Sequence, residues 1–233
     1  MLRNAEMIAN LNPSVPLIAD MDTGFGSPVN IARSVSAYIR AGIAGFHIED
    51  QVQNKRCGHL QGKELVSQDV FESRVRAAVA TRRRENSDIV IIARTDALQG
   101  YGYDDAMTRL KAARDCGADV GFLEGITSVE MARKAITEIA PWPMLLNMVE
   151  HGATPTISKY EAKEMGFKVM IWPFATWAPA YVAMKEALEK LKKTGLADTP
   201  SYITPRHLFE ICGLEESMKI DREAGGVSFD KGA

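Results

Sequence analysis

The stretch "IVIIARTD" (89–96) sets an unbroken apolar run against an abrupt charged end. Four branched aliphatics in a row suit a strand covered on both faces, as parallel strands are, and Arg94 and Asp96 close it. The same form recurs in "PLIAD" (16–20), "GFHIED" (45–50), "VGFLEG" (120–125), "PMLLNMVE" (143–150) and "VMIWP" (169–173). Between these runs lie segments of helical spacing at 30–42, 69–85, 104–118, 128–140 and 158–167, and a long helix runs from 177 to Gly195. Cys116, in the last turn of the third segment, reads as a packing residue. Strand–helix alternation predicts right-handed βαβ units and a parallel sheet. Charges at the ends of buried strands cannot point into a core, so they must converge on a polar cavity at one rim. That is the arrangement of an α/β (β/α)8 TIM-type barrel, whereas a doubly wound sheet gathers its polar ends at one switch point. Only six strand–helix units are visible, where a closed barrel has eight. Residues 1–195 are therefore expected to form a partial barrel domain, and 196–233 a C-terminal helical segment.

Composition narrows the function classes. In 233 residues the formal net charge is −2, which gives no electrostatic case for nucleic acid or an anionic membrane. No apolar run reaches the roughly 18 residues of a membrane span, and the first twenty residues show neither a signal nor a transit pattern. Cys57, Cys116 and Cys212 are few, odd in number and far apart, which predicts free thiols in a reducing, intracellular setting, cytoplasmic or mitochondrial.

The strand ends carry the chemistry. "DMDTGFG" (20–26) puts Asp20 and Asp22 two apart before a glycine-rich turn, and strand alternation would aim both into one cavity. With Glu49 of "HIED" (47–50) they form an all-oxygen set suited to Mg²⁺ or Mn²⁺; a capping aspartate with a turn glycine is the common alternative. Asp50 is expected to support that set, and His47, inside its strand, to be a hydrogen-bonded core histidine. In "KRCGH" (55–59), Lys55, Arg56 and His59 would stabilise a Cys57 thiolate, and Gly58 would give the loop freedom to move. An incidental surface cysteine is the alternative, weakened by the loop's place after the Glu49 strand. Arg94 of "ARTDA" (93–97) suits a substrate carboxylate or a structural ion pair with Glu49 or Glu124. Glu124 and Asn147 end the next two strands and would orient a substrate. No GxGxxG, P-loop, CxxC or HExxH is present.

"KRCGH", "DMDTGFG" and "ARTDA", in that setting, resemble the isocitrate lyase/phosphoenolpyruvate mutase superfamily from about Pro16 to near Pro173. "KRCGH" looks like the K-[KR]-C-G-H signature of isocitrate and methylisocitrate lyases, and the short spacing resembles the small branch holding 2-methylisocitrate lyase, 2,3-dimethylmalate lyase and oxaloacetate hydrolase. The resemblance implies Mg²⁺ held by Asp20, with Asp22 and Glu49 acting largely through water, and retro-aldol cleavage of a 2-hydroxy di- or tricarboxylate to pyruvate and a second carboxylate. It implies catalytic roles for Cys57 as general acid, Lys55, His59 and Glu124, and substrate binding by Arg94, Asn147, Gly58 and Arg56. Oxaloacetate hydrolysis to oxalate and acetate is the alternative activity, and an inactive shortened paralogue the other. Family members carry about two further β/α units ahead of the first strand, so this chain is expected to be an N-terminally shortened barrel. They assemble as tetramers, so the segment after 196 is expected to pack on a neighbouring subunit.

Overall fold

The structure is a computed structural model, and it describes residues 1–229. A short helix, α1 (Leu2–Ala9), precedes β1 (Ile18–Asp20), and α2 (Pro28–Arg40) leads to β2 (Gly45–Glu49). Helix α3 (Gln68–Arg84) precedes β3 (Val90–Thr95), which is followed by α4 (Ala97–Tyr101) and α5 (Tyr103–Asp115). Then come β4 (Val120–Leu123), α6 (Val129–Ile139), β5 (Met144–Asn147), α7 (Lys159–Met165) and β6 (Val169–Ile171).

All six strands are parallel, and their order in the sheet is their order in the chain. Right-handed crossovers that always step to the next strand in one direction place every helix on the same face. The other face is then left to curl upon itself, which is the barrel solution and not the doubly wound one. The sheet remains open, since β1 and β6 each pair with a single strand among the described residues.

Side-chain alternation sorts each strand between two environments. Phe46, Ile48, Ile91 and Ala93 pack outward with α2 and α3 residues such as Val35, Phe71 and Val75. Leu123, Met144 and Leu146 pack outward with Met107, Leu110, Ala135 and Ile139. A smaller inner layer holds Ile92, Val120, Phe122 and Leu145, joined by Val169 and Ile171. Two positions further along each strand, on the same inner face, stand Arg94, Glu124 and Asn147. The inner face thus has an apolar floor and a polar rim.

Contacts within the chain divide it into Met1–Ala175 and a unit beginning at Thr176. That unit contains α8 (Trp177–Thr194), α9 (Pro205–Ile211) and α10 (Leu214–Glu223), none of which has a buried residue. Trp177, Tyr181, Met184, Leu188 and Leu191 recur at steps of four and three along α8, which makes one exposed apolar face.

Glycine 121 shows how tightly the outer layer is packed, because a Cβ there would lie 2.5 Å from Cζ3 of Trp142. Gly121→Ala is expected to lower stability by about 1–3 kcal/mol, read as a lower urea midpoint at unchanged slope. Gly100, with open space around a helical backbone, should tolerate alanine or gain by up to about 1 kcal/mol.

Candidate active site

Strand ends β1 to β5 bring the predicted acids, arginine and amide to one rim. Asp20 ends β1, and its carbonyl accepts a 2.8 Å bond from the buried Tyr38 hydroxyl, whose pKa burial and then Asp20 and Asp22 push up to about 12. Asp22 is not placed by strand alternation as expected. It lies in a turn beyond β1 with φ 47°, and its amide donates to Asp20 Oδ1 at 2.7 Å. An aspartate can hold that left-handed geometry where a bulkier side chain would be strained. Its carbonyl accepts from the Glu49 amide at 2.9 Å, which ties the two acidic ends together.

Glu49 is fully buried, and burial pushes its pKa up to about 7 against the pull of Arg94 and Lys55. Lys55 Nζ lies 2.6 Å from Asp22 Oδ1 and 3.0 Å from Glu49 Oε2. Burial opposes the Lys55 charge, but these carboxylates outweigh it and raise its pKa. Glu49 Oε1 is buried with no hydrogen-bond partner among the described residues. An oxygen donor set, an orphaned carboxylate oxygen and a cation already accepted between two acids fit a hard divalent ion. Among the described residues no group of three His, Cys, Asp or Glu side chains converges enough to cage a metal unaided. A Mg²⁺ here would keep water in its shell, as that ion prefers.

Arg94 makes a bidentate pair with Asp96, Nε to Oδ2 at 2.9 Å and Nη2 to Oδ1 at 3.0 Å. Glu49 and Glu124 stand 3.5 and 3.8 Å away, and the guanidinium lies 5.0 Å above the Phe122 ring. Burial works against this charge, but Asp96, Glu124 and Glu49 outweigh it and raise the pKa above its ordinary value. Sequence reasoning missed Asp96, although its place two residues after Arg94 on the same strand end was a usable signal. Glu124, also buried, accepts from Asn147 Nδ2 at 3.2 and 3.4 Å, while Asn147 Oδ1 is buried and unpartnered. Asp50 is engaged apart from Asp20 and Asp22: it accepts from Thr95 Oγ1 at 2.6 Å and the Asp96 amide at 2.9 Å, and meets Arg109 at 3.3 Å. It braces the end of β3.

His47 departs from expectation. It lies on the inner face, edge-on to Phe122 at 5.8 Å, with Nδ1 3.4 Å from Asp20 Oδ1 but not hydrogen-bonded. Burial, with Arg94 and Lys55, lowers its pKa against the pull of Asp20 and Asp22.

The loop after β2 folds back over this rim. Its base is clasped by the Gln51 side chain, which donates to Arg56 O and accepts from Arg56 N, both at 3.0 Å, and by Val52 N to Glu64 O and Val66 N to Asp50 O, both at 2.9 Å. Gly58 is buried, and a Cβ on it would lie 2.3 Å from Arg94 Nη2 and 2.7 Å from Glu124 Cγ. Its glycine therefore serves close approach and not the freedom expected of it. His59 Nε2 comes within 3.4 Å of Glu124 Oε1, without hydrogen-bond geometry, and its ring lies against Gly152. Cys57 is exposed at the crest. The cations beside it in sequence have partners of their own: Lys55 turns to Asp22 and Glu49, His59 to Glu124, and Arg56 outward to Gln61 O at 3.3 Å. Arg56 is exposed and is not brought to the rim with Arg94 and Asn147. Gly58→Ala should unseat the loop at a cost of about 1–3 kcal/mol, seen as amide exchange across 52–63 faster by roughly tenfold or more.

The chain matches a family model described as phosphoenolpyruvate phosphomutase over residues 1–192. It is 38% identical over 230 residues to a 2,3-dimethylmalate lyase of Eubacterium barkeri, which covers 95% of this chain and 78% of the relative. A 2-methylisocitrate lyase of Aeropyrum pernix is 38% identical over 213 residues, 90% of this chain and 67% of the relative. Among solved structures, a 2,3-dimethylmalate lyase of the PEP mutase/isocitrate lyase superfamily aligns with a TM-score of 0.98 at 61% identity, over 100% of this chain and 77% of that one. An oxaloacetate acetylhydrolase in complex with 3,3-difluorooxalacetate aligns with a TM-score of 0.95 at 58% identity, over 98% and 77%.

Proposed function

The chain belongs to the PEP mutase/isocitrate lyase superfamily, and from that membership we propose a carbon–carbon lyase that cleaves a 2-hydroxy di- or tricarboxylate of the 2-methylisocitrate or 2,3-dimethylmalate kind to pyruvate and a second carboxylate. The observation that carries the proposal is the seat of Gly58 on Arg94 and Glu124, which makes the "KRCGH" loop a cover for charged strand ends. A thiol carried on that cover has work in carbon–carbon lysis, where a departing carbon must be protonated.

Asp20, Asp22 and Glu49 would hold Mg²⁺, or Mn²⁺, directly or through water, and the bound cation supplies Lewis-acid stabilisation of developing oxygen charge. Lys55 shares Asp22 and Glu49, and its charge works against the burial that raises the Glu49 pKa. Nε and Nη2 of Arg94 face Asp96, and Nη1, without a protein hydrogen bond among the described residues, is the donor for a substrate carboxylate. Asn147 would help position the substrate, and Glu124, which accepts from its Nδ2, fixes the orientation of that amide. As the bond between the hydroxyl-bearing carbon and its neighbour breaks, the hydroxyl proton passes to Glu124 and its carbon becomes a carbonyl. The bond's electron pair goes to the departing carbon, which takes a proton from the Cys57 thiol. His59, beside Glu124, would relay the proton away, and the seated loop would keep water out.

The 58% identity to the oxaloacetate acetylhydrolase structure supports a second reading on the same rim. Water would add across oxaloacetate and the carbon–carbon bond would break to oxalate and acetate. Pyruvate release from 2-methylisocitrate and 2,3-dimethylmalate, and oxalate release from oxaloacetate, should be followed with Mg²⁺, with EDTA and in Cys57→Ser. The lyase reading expects pyruvate, its loss on chelation, and a drop of about a hundredfold or more in the variant. Turnover that survives EDTA or ignores Cys57→Ser sinks the assigned roles, and oxalate without pyruvate transfers the proposal to the hydrolase.

The apolar face of α8 supports assembly with further copies of the chain, a tetramer by the superfamily resemblance. Light scattering of the full chain should report a mass above 25.6 kDa that falls toward that value in Leu188→Glu; a native chain monomeric at micromolar concentration contradicts it.

A further inference from the structure

Lys63 has no part in the roles assigned above, yet its side chain is only 4% exposed. It turns beneath the loop that carries Cys57: Nζ donates to the Gly58 carbonyl and lies 3.5 Å from Asp96 Oδ1. An ammonium can stay charged in such a place only with acceptors around it. Asp96 is also the carboxylate that clamps Arg94 through two hydrogen bonds. One fully buried carboxylate therefore serves two cations, one belonging to the loop and one to β3.

We propose that Lys63 is a positioning residue that couples the seating of the Cys57 loop to the readiness of Arg94 for a carboxylate, through their shared hold on Asp96. The coupling follows from charge. With the loop lifted, Asp96 faces Arg94 alone and offsets most of its charge. With the loop seated, Lys63 takes up part of the Asp96 field, and the guanidinium keeps more attraction for an anion at Nη1. A carboxylate on Arg94 thus binds more tightly under a seated loop, and by reciprocity it favours the seated loop by the same factor. The inference rests on the reading of Arg94 as the substrate-carboxylate group.

Deuterium exchange of the peptide spanning 52–63 in the full chain, with and without oxalate in Mg²⁺ buffer, tests the coupling without turnover. Oxalate should slow exchange in the native chain. Lys63→Met should exchange roughly tenfold faster and lose most of the oxalate response, and Lys63→Arg should recover part of both. Lys63→Met/Asp96→Asn should be no faster than the faster single variant, since both act through one contact. Unchanged exchange in Lys63→Met, an oxalate response equal to the native one, or additive effects in the double variant would each overturn the proposal. If oxalate does not bind the native chain by calorimetry, Arg94 is not the carboxylate group and the coupling fails with it. Intact coupling in a chain that turns over none of the substrates would sink the lyase reading alone and support the clasp.

Discussion

A guanidinium with a tenth of its side chain exposed needs carboxylates close by, and Arg94 draws them from three strands. Asp96 comes from its own strand end, Glu49 from the register partner of Arg94 on β2, and Glu124 from just beyond β4. Each acid lowers the cost of burying the arginine, and the arginine lowers theirs. The same exchange recurs outside the rim, where Arg74 donates to the carbonyls of Glu49 and Gln51 at 2.8 and 2.7 Å and Arg109 meets Asp50. The strand ends hold their places because displacing one would strand a charge on its neighbour.

Beneath this ring lies the apolar floor of Ile92, Val120, Phe122 and Leu145. The floor denies water to the rim from below, which strengthens each charge–charge contact above it and raises the cost of any unmet polar atom. The unmet atoms belong to His47, Glu49 and Asn147 on the strands and to His59 on the loop above them. A folded protein tolerates such atoms where an incoming ligand can meet them.

Much of this was legible in the sequence because it follows local rules. Apolar runs ending in charge located the six strands and put Arg94 and Glu49 at strand ends. What escaped depends on contacts between distant segments. Nothing local to "KRCGH" says that Gly58 must press on Arg94 and Glu124, or that Lys55 turns back to Asp22 while Arg56 turns away. Asp22 looked like the next inward strand residue, but the strand had already ended and a left-handed turn carries it instead. Lys63 sits in a polar stretch that reads as surface, and its burial comes from the fold of the loop over β3. The helical spacing of α8 was visible, but spacing does not say whether a face is covered.

The sequential strand order has a temporal side. Each strand pairs with the one synthesised just before it, so the sheet can grow at one edge as the chain emerges, without waiting for a distant partner. Asp22 and Glu49 come together when β2 pairs with β1, about forty-five residues before Arg94 exists to balance them. Lys55 lies only six residues past Glu49 and reaches both acids, so the nascent rim carries its own counter-ion. A lysine suited to a reaction late in the life of the molecule would then be needed at its birth.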